Sequence, residues 1–301
     1  MAISKIGMII RRRRTELGLS QEDLADGICA VTTLSRIENG ERMPTQNHLE
    51  MLLQRIGYSD MMLESYVDED DFLAHDLKFK IRQAYIEGDM PTAQHLLLQF
   101  EQLVAKPSKI DVQFITLYRV LLYFDRYSNE ERLEELEKAL RLTHPKYKQG
   151  NVLYLLSYEE IVLLNNIADA YAAFGKRKDA IDILYSIINY YDTHVVNVEE
   201  NLRTETMTVY NLSKWLGLEN RYDECIRICD RGIALAKRTG RSSCFALTLY
   251  NKAWALVKRN EPNDRTEAIT IAKNAYHIAL AFENMFLAKS CQDFIQKNNL
   301  N

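Results

Sequence analysis

An all-α chain is predicted, with a small N-terminal helix-turn-helix domain followed by an α-superhelical repeat domain. Three observations predict it. Residues 19–44 hold two short helical patterns around a tight connection, with a capping residue before them and an Asn-Gly stop after them. From residue 72 onward, long helical periodicities alternate with short breaks, and the aligned breaks reveal an internal repeat. Only five prolines and eleven glycines occur in 301 residues, which leaves little room for turn-rich β structure or long disordered linkers.

The elements follow in order. Residues 3–17 read as a first helix that supplies Ile6, Ile10 and Leu17 to a core. Ser20 is a good N-cap for a helix starting at Gln21, and Asp23 sits at the capping-box position. Leu24, Ala25 and Ile28 form that helix's buried stripe. After a turn through Cys29 and Ala30, a second helix spans residues 31–38, with Leu34 and Ile37 inward and Thr32, Thr33 and Arg36 outward. Asn39-Gly40 stops it, since both residues tolerate the left-handed conformation. After Pro44 a fourth helix adds Leu49, Leu52 and Ile56. In this motif the N-terminal part of the second helix meets base edges while the first crosses the DNA backbone. Val31, Thr32, Thr33, Arg36 and Arg42 are therefore the DNA-binding candidates, and a double-stranded operator is the expected partner.

Three segments carry a resemblance: Leu17-Gly18-Leu19-Ser20-Gln21, Leu24-Ala25, and Ser35-Arg36-Ile37-Glu38-Asn39-Gly40. They resemble the helix-turn-helix domains of phage-repressor type. Between Leu24 and Gly40 the chain is one residue shorter than the commonest version, with Gly27-Ile28-Cys29 in place of a Leu-Gly-Ile turn. That turn is similar to the one in PlcR-type regulators (Rgg/PlcR/PrgX-type), peptide-pheromone receptors of Gram-positive bacteria. The resemblance implies transcription regulation of the quorum-sensing kind, with a short signalling peptide as a second partner. It also implies that Gln21 touches phosphate or a base edge, and that Arg14 pairs with Glu38. The run Arg11 to Arg14 cannot face one way, because successive helical residues point about 100° apart. One or two of the four are expected to reach phosphate.

Charge bounds the binding mode. The chain carries net −4, while residues 1–56 hold basic and acidic groups in near balance. A single head should grip DNA weakly, so a homodimer on two half-sites is expected. The acidic excess lies in the remainder, which argues against a second nucleic-acid surface. The start has too few apolar residues for a signal peptide, and its arginines follow them rather than precede them. No apolar run approaches the roughly 20 residues of a membrane span. The five cysteines are odd in number and lack zinc-pair spacing. A cytoplasmic protein without cofactor is expected. No nucleotide loop, metal-ligand cluster or nucleophile–base pair is found, so an enzyme is not.

The clearest repeat unit spans residues 164–187, where Leu164, Ile167, Ala168, Tyr171, Gly175, Ala180, Leu184 and Ile187 fall at tetratricopeptide positions. Ser157 and Glu160 form a capping box ahead of it. A second unit aligns Val209, Leu212, Ser213, Leu216, Asn220, Cys225, Cys229 and Gly232. Cys225 and Cys229 share a helix face and raise a metal or redox site, but no histidine completes a ligand set and the alanine-equivalent position favours packing. A third unit aligns Leu249, Ala253, Leu256, Asn260, Ala268, Ala272 and Ala275. Weaker units cover residues 72–100 and 110–145, and residues 286–297 read as a closing helix. Lys78 and Arg82, four apart, read as a solvated face or as positive charge near a groove.

Asn166, Asn211 and Asn251 occupy one equivalent position in three successive units, where asparagine is a mediocre helix residue. Two readings stay open. The carboxamides form a ladder between neighbouring helices, or they line a concave surface and hold an extended peptide by its backbone. Resemblance to peptide-binding repeats supports the second. Tyr210, Tyr250 and Lys214 are neighbouring peptide-binding candidates, with Trp254 alongside. The boundaries read 1–58 for the head, 59–71 for a connecting helix, and 72–301 for the repeats, which bind peptide and dimerise. An alternative keeps the DNA head but has the repeats dock a protein rather than a peptide.

Overall fold

The computed structural model describes residues 2–57, 69–148, 155–193, 199–239 and 244–299. Among them there is no strand, and fifteen α-helices follow one another. Helices α1 (Ala2–Glu16), α2 (Gln21–Ala25), α3 (Val31–Glu38) and α4 (Gln46–Arg55) form the head. The repeats comprise α5 (Glu69–Glu87), α6 (Met90–Leu103), α7 (Lys109–Leu122), α8 (Asn129–Thr143), α9 (Tyr158–Ala173), α10 (Arg177–Thr193), α11 (Glu199–Leu218), α12 (Tyr222–Thr239), α13 (Phe245–Arg259) and α14 (Asp264–Ala281). The closing helix is α15 (Met285–Lys297). The expected connecting helix at 59–71 lies outside the described residues as far as 68, and Glu69 onward opens α5. No described helix is long and apolar enough to cross a membrane.

The chain divides into two compact units. The first runs to Ala170, and the second is built from Tyr171–Thr193 and Glu199–Asn301.

In the first unit, the head forms as its caps and stripes dictate. The Ser20 hydroxyl accepts from the Asp23 amide, and Asp23 accepts from the Ser20 amide at 2.8 Å, so the capping box is complete. Ile6, Ile10, Leu24, Ala25, Leu34, Ile37, Leu49, Leu52 and Ile56 close one apolar core. Helix α4 has a second, polar stripe made of Asn47, Glu50 and Gln54, spaced three and four apart so that they share one side, with Arg55 at its flank. This stripe faces the repeats. Asn47 donates to Asp111 at 3.0 Å and accepts from Lys78 at 3.0 Å. Arg82 bridges Glu50 at 2.9 Å and Glu159 at 2.8 Å. Arg55 pairs with Glu160 at 3.2 Å and also donates to the backbone oxygens of Asp26 and Thr143. The Tyr158 amide donates to Gln54.

Lys78 and Arg82 are each only 2 % exposed, which corrects the solvated-face reading. They are screened from water by Phe100, Phe114 and Tyr158, whose rings lie 5.4 to 5.7 Å from the two cations. Glu160 therefore caps α9 through Ser157, as the sequence predicts, and at the same time anchors the head.

Burial alone would raise the Glu160 carboxyl, but His144, Arg55 and the Ser157 amide hold it well below the usual carboxylate range. Burial is likewise overcome at Glu50 by His75, Arg82 and Lys78. A carboxyl depressed on folding contributes stability that is complete above its unfolded value and lost as pH falls towards its folded value. The first unit should therefore lose thermal stability progressively below roughly pH 4.3, the ordinary glutamate value. Scanning calorimetry between neutral and acidic pH checks this, and Glu160→Gln should flatten the slope; an unchanged slope would count against the assignment.

In the repeats, the aligned turn positions Gly88, Gly175, Asn220 and Asn260 all take left-handed φ, at 79°, 77°, 60° and 59°. This backbone agreement supports the repeat alignment. In the first unit α5, α6, α7 and α8 pack in succession, and in the second α10 to α15 do so, with α11 also packing on α13. Ala253, Ala268, Ala272, Ala275, Leu212, Leu216, Cys225 and Cys229 are buried where the repeat places small and large residues. Cys225 donates its thiol to the Ser213 backbone oxygen at 3.2 Å, and hydrogen bonding to Cys225 together with burial pushes the Cys229 thiol well up. Both cysteines are fully buried packing residues.

Candidate functional site

The head presents one continuous outer face. Leu34, Ile37 and Glu38 take the inner side of α3, so Val31, Thr32 and Arg36 are exposed and Thr33 is half-buried. Arg42 is exposed just beyond the helix. The close seat of α3 depends on Gly7 in α1, where an added Cβ would lie 2.0 Å from the Ile37 carbonyl oxygen.

Glu38 fixes that seat from inside. Arg14 grips its carboxylate at 2.6 and 2.9 Å and also donates to the Leu19 carbonyl, so the Arg14–Glu38 pair implied by the resemblance is present. Gln21 donates its amide nitrogen to the same carboxylate at 2.7 Å. One amide N–H and the carbonyl oxygen of Gln21 are then left over. Of the other arginines, Arg13 donates to the Ile56 carbonyl at the end of α4, and Arg12 pairs with Glu16. The Arg11 side chain is exposed and makes no hydrogen bond or ion pair among the described residues; only its backbone oxygen is engaged, by the Thr15 hydroxyl.

The asparagines do not behave alike. Asn166, in the first unit, donates back to the Val162 carbonyl of its own helix at 2.8 Å. Asn251, in the second, donates across to α11, to Ser213 Oγ at 2.9 Å and the Tyr210 carbonyl at 3.4 Å. Asn251 thus forms the interhelical ladder that the sequence left open, and only its carboxamide oxygen faces elsewhere. Asn211 is half-buried on α11.

Tyr250, Asn251 and Trp254 on α13 and Ser213, Lys214, Gly217 and Leu218 on α11 surround a cavity of about 200 Å³, with Cys225 at its base. Tyr210 is half-buried one turn before it. The Lys214 ammonium lies 4.1 Å from the centre of the Trp215 ring. Gly217 sits inside a helix, where glycine costs about 1 kcal/mol against alanine. A Cβ there would meet Trp254 at 3.1 Å, so the glycine makes room for the indole. Gly217 is signalled in the sequence only as an odd mid-helix glycine, whereas Trp254 already stands there beside the peptide-binding candidates. Tyr250 also stacks edge-on to Phe294 at 5.5 Å, and burial raises its hydroxyl.

Against known proteins, two domains are found. A helix-turn-helix domain matches residues 10–60, and the RNPP family C-terminal domain matches residues 92–290. The chain belongs to the RNPP family. Among curated relatives, this RNPP chain is 24% identical to the transcriptional activator NprA of Geobacillus stearothermophilus. The alignment covers 44% of this chain and 43% of that relative, less than half of either. Among solved structures, it is similar to Bacillus thuringiensis PlcR in complex with the peptide PapR7 and DNA. There the TM-score is 0.61 and the identity 21%, over 96% of this chain and 99% of PlcR. ComR from S. thermophilus, in complex with DNA and its signalling peptide ComS, has a TM-score of 0.55 and 17% identity, over 98% and 99%. At these identities the likeness is one of fold, and the two-part all-α architecture of the RNPP chain agrees with it.

Proposed function

We propose that this chain is a sequence-specific transcriptional regulator of the quorum-sensing kind. The α3 face, Val31, Thr32, Thr33 and Arg36 with Arg42, reads a double-stranded operator, and Arg11 and the second amide N–H of Gln21 hold the backbone. A short signalling peptide, taken up in the repeat domain, sets the strength of that contact. In the second unit its site is the α11–α13 groove, with Asn211, the Asn251 oxygen, Tyr210, Lys214 and Tyr250. The chain acts as a homodimer, because a head with balanced charge needs two half-sites for a firm grip. The boundaries of the working parts are 1–58, 59–71 and 72–301.

The observation that carries this reading is the exposed row Val31, Thr32 and Arg36 on a helix whose other side is sealed into the head core. PlcR and ComR, whose fold it shares, were solved with DNA and a peptide, which supports both partners.

DNA selected from a random pool by the full chain tests the first half. Arg36→Ala and Thr32→Ala should each weaken binding to the selected sequence about tenfold to a hundredfold, the worth of a base-edge contact. Selection of no preferred sequence would overturn it. Native mass spectrometry of the chain purified from its host tests the second half: a retained small mass supports a peptide, and a stoichiometric folded partner instead of one would overturn that part.

A further inference from the structure

A second hollow of about 370 Å³ adjoins the α11–α13 cavity, and Tyr250 and Trp254 line both. Its wall also includes Val257 and Lys258 on α13 and Asp293, Phe294 and Lys297 on α15, with Ser290 and Asn298 at its edges. Lys258 and Lys297 are exposed and have no anionic partner among the described residues, and the Lys258 ammonium lies 5.7 Å from the Trp254 ring. Counting Lys214, the two hollows are lined by three lysines and one aspartate, on a chain whose net charge is −4. The smaller cavity is walled by Leu218, Gly217, Cys225 and two aromatic rings, an environment for an apolar side chain.

From this juxtaposition we infer that the α13–α15 hollow is a carboxylate subsite. The peptide places an apolar side chain between Tyr250, Trp254 and Gly217, and a neighbouring carboxylate against Lys258 and Lys297. The inference rests on the peptide reading above and deepens it by naming the ligand's chemistry. A carboxylate between two ammonium groups gains charge-assisted hydrogen bonds, and the flanking indole and phenyl rings limit the access of water on one side. The carboxylate comes from the peptide's C-terminus or from an acidic side chain, and the test separates the two.

The full-length chain is offered four pools of random heptapeptides, with free or amidated C-termini, each made with or without Asp and Glu, and retained peptides are identified by mass spectrometry. Retention from the free-carboxylate pools about tenfold above the amidated ones assigns the C-terminus, and a similar excess in the acid-containing pools assigns a side chain. In either case Lys258→Gln with Lys297→Gln should abolish the preference while apolar peptides are still retained. Equal retention from all four pools, or a preference that survives the double substitution, overturns the subsite and leaves the peptide reading standing. No retention from any pool overturns both.

Discussion

Arg82→Met should destabilise the first unit by about 3–5 kcal/mol, because it strands two buried carboxylates at once. Glu50 and Glu159 both rest on this guanidinium, and the three side chains are 5, 8 and 2 % exposed in the order Glu50, Glu159, Arg82. Glu159 then loses this guanidinium outright and Glu50 keeps only His75 and Lys78, so two buried charges are compensated less well where α4 meets α5 and α9. Arg12→Met is the matched control. It breaks an ion pair to Glu16 in which the arginine is 84% exposed, and pairs of that kind contribute a few tenths of a kcal/mol at most. Chemical denaturation of the full chain reads the difference. Adding Glu50→Gln and Glu159→Gln to Arg82→Met should recover part of the loss, since removing every member of a buried ionic cluster costs less than removing one. A loss for Arg82→Met no larger than that for Arg12→Met would show that the head is not held to the repeats by this cluster.

The contrast between Arg82 and Arg12 also separates what the sequence makes legible from what it does not. Features whose cause is local are read correctly. The Ser20–Asp23 box, the second helix over residues 31–38, the Ser157–Glu160 cap and the left-handed breaks at Gly88, Gly175, Asn220 and Asn260 all follow from neighbours a few positions away. Buried charge has no such local signature. Lys78 and Arg82 carry the same spacing as any solvated pair, and their partners Asn47, Asp111, Glu50 and Glu159 come from three other helices. The asparagine row shows an intermediate case. Its repetition is legible and announces a role, but whether Asn251 binds a neighbour or a ligand is settled by the stacking of α13 on α11, which lies outside any one helix's pattern. The outward residues of α3 are legible because Leu34 and Ile37 fix which side of the helix is inward. Gln21 is only half legible, because its pull towards Glu38 competes with the contact the resemblance implies.

Gly27→Ala should be the most damaging single-methyl change in the head, with a loss of roughly 3 kcal/mol or more from strain and overpacking together. Gly27 is the residue that begins the shortened turn between α2 and α3, and the structure gives that shortness a reason. Its φ is +74°, and a Cβ would fall 1.5 Å from the Thr143 carbonyl oxygen at the end of α8. The turn is pressed directly against the repeat backbone there, beside the point where Arg55 reaches both the Asp26 and Thr143 carbonyls. Gly18→Ala separates the two contributions. Gly18 has a similar φ of +69° and nothing within 4 Å of the new methyl, so its substitution carries only the left-handed penalty of about 1–2 kcal/mol. Gly27→Ala should exceed it by the cost of forcing the turn off α8. Thr143→Ala should not rescue the variant, because the atoms met are the backbone oxygen, carbonyl carbon and Cα. Equal losses for Gly18→Ala and Gly27→Ala would mean that the turn does not bear on α8. A larger loss at Gly27, with weakened binding to the selected DNA, would make the shortened turn the joint through which the repeats hold α3 in reading position.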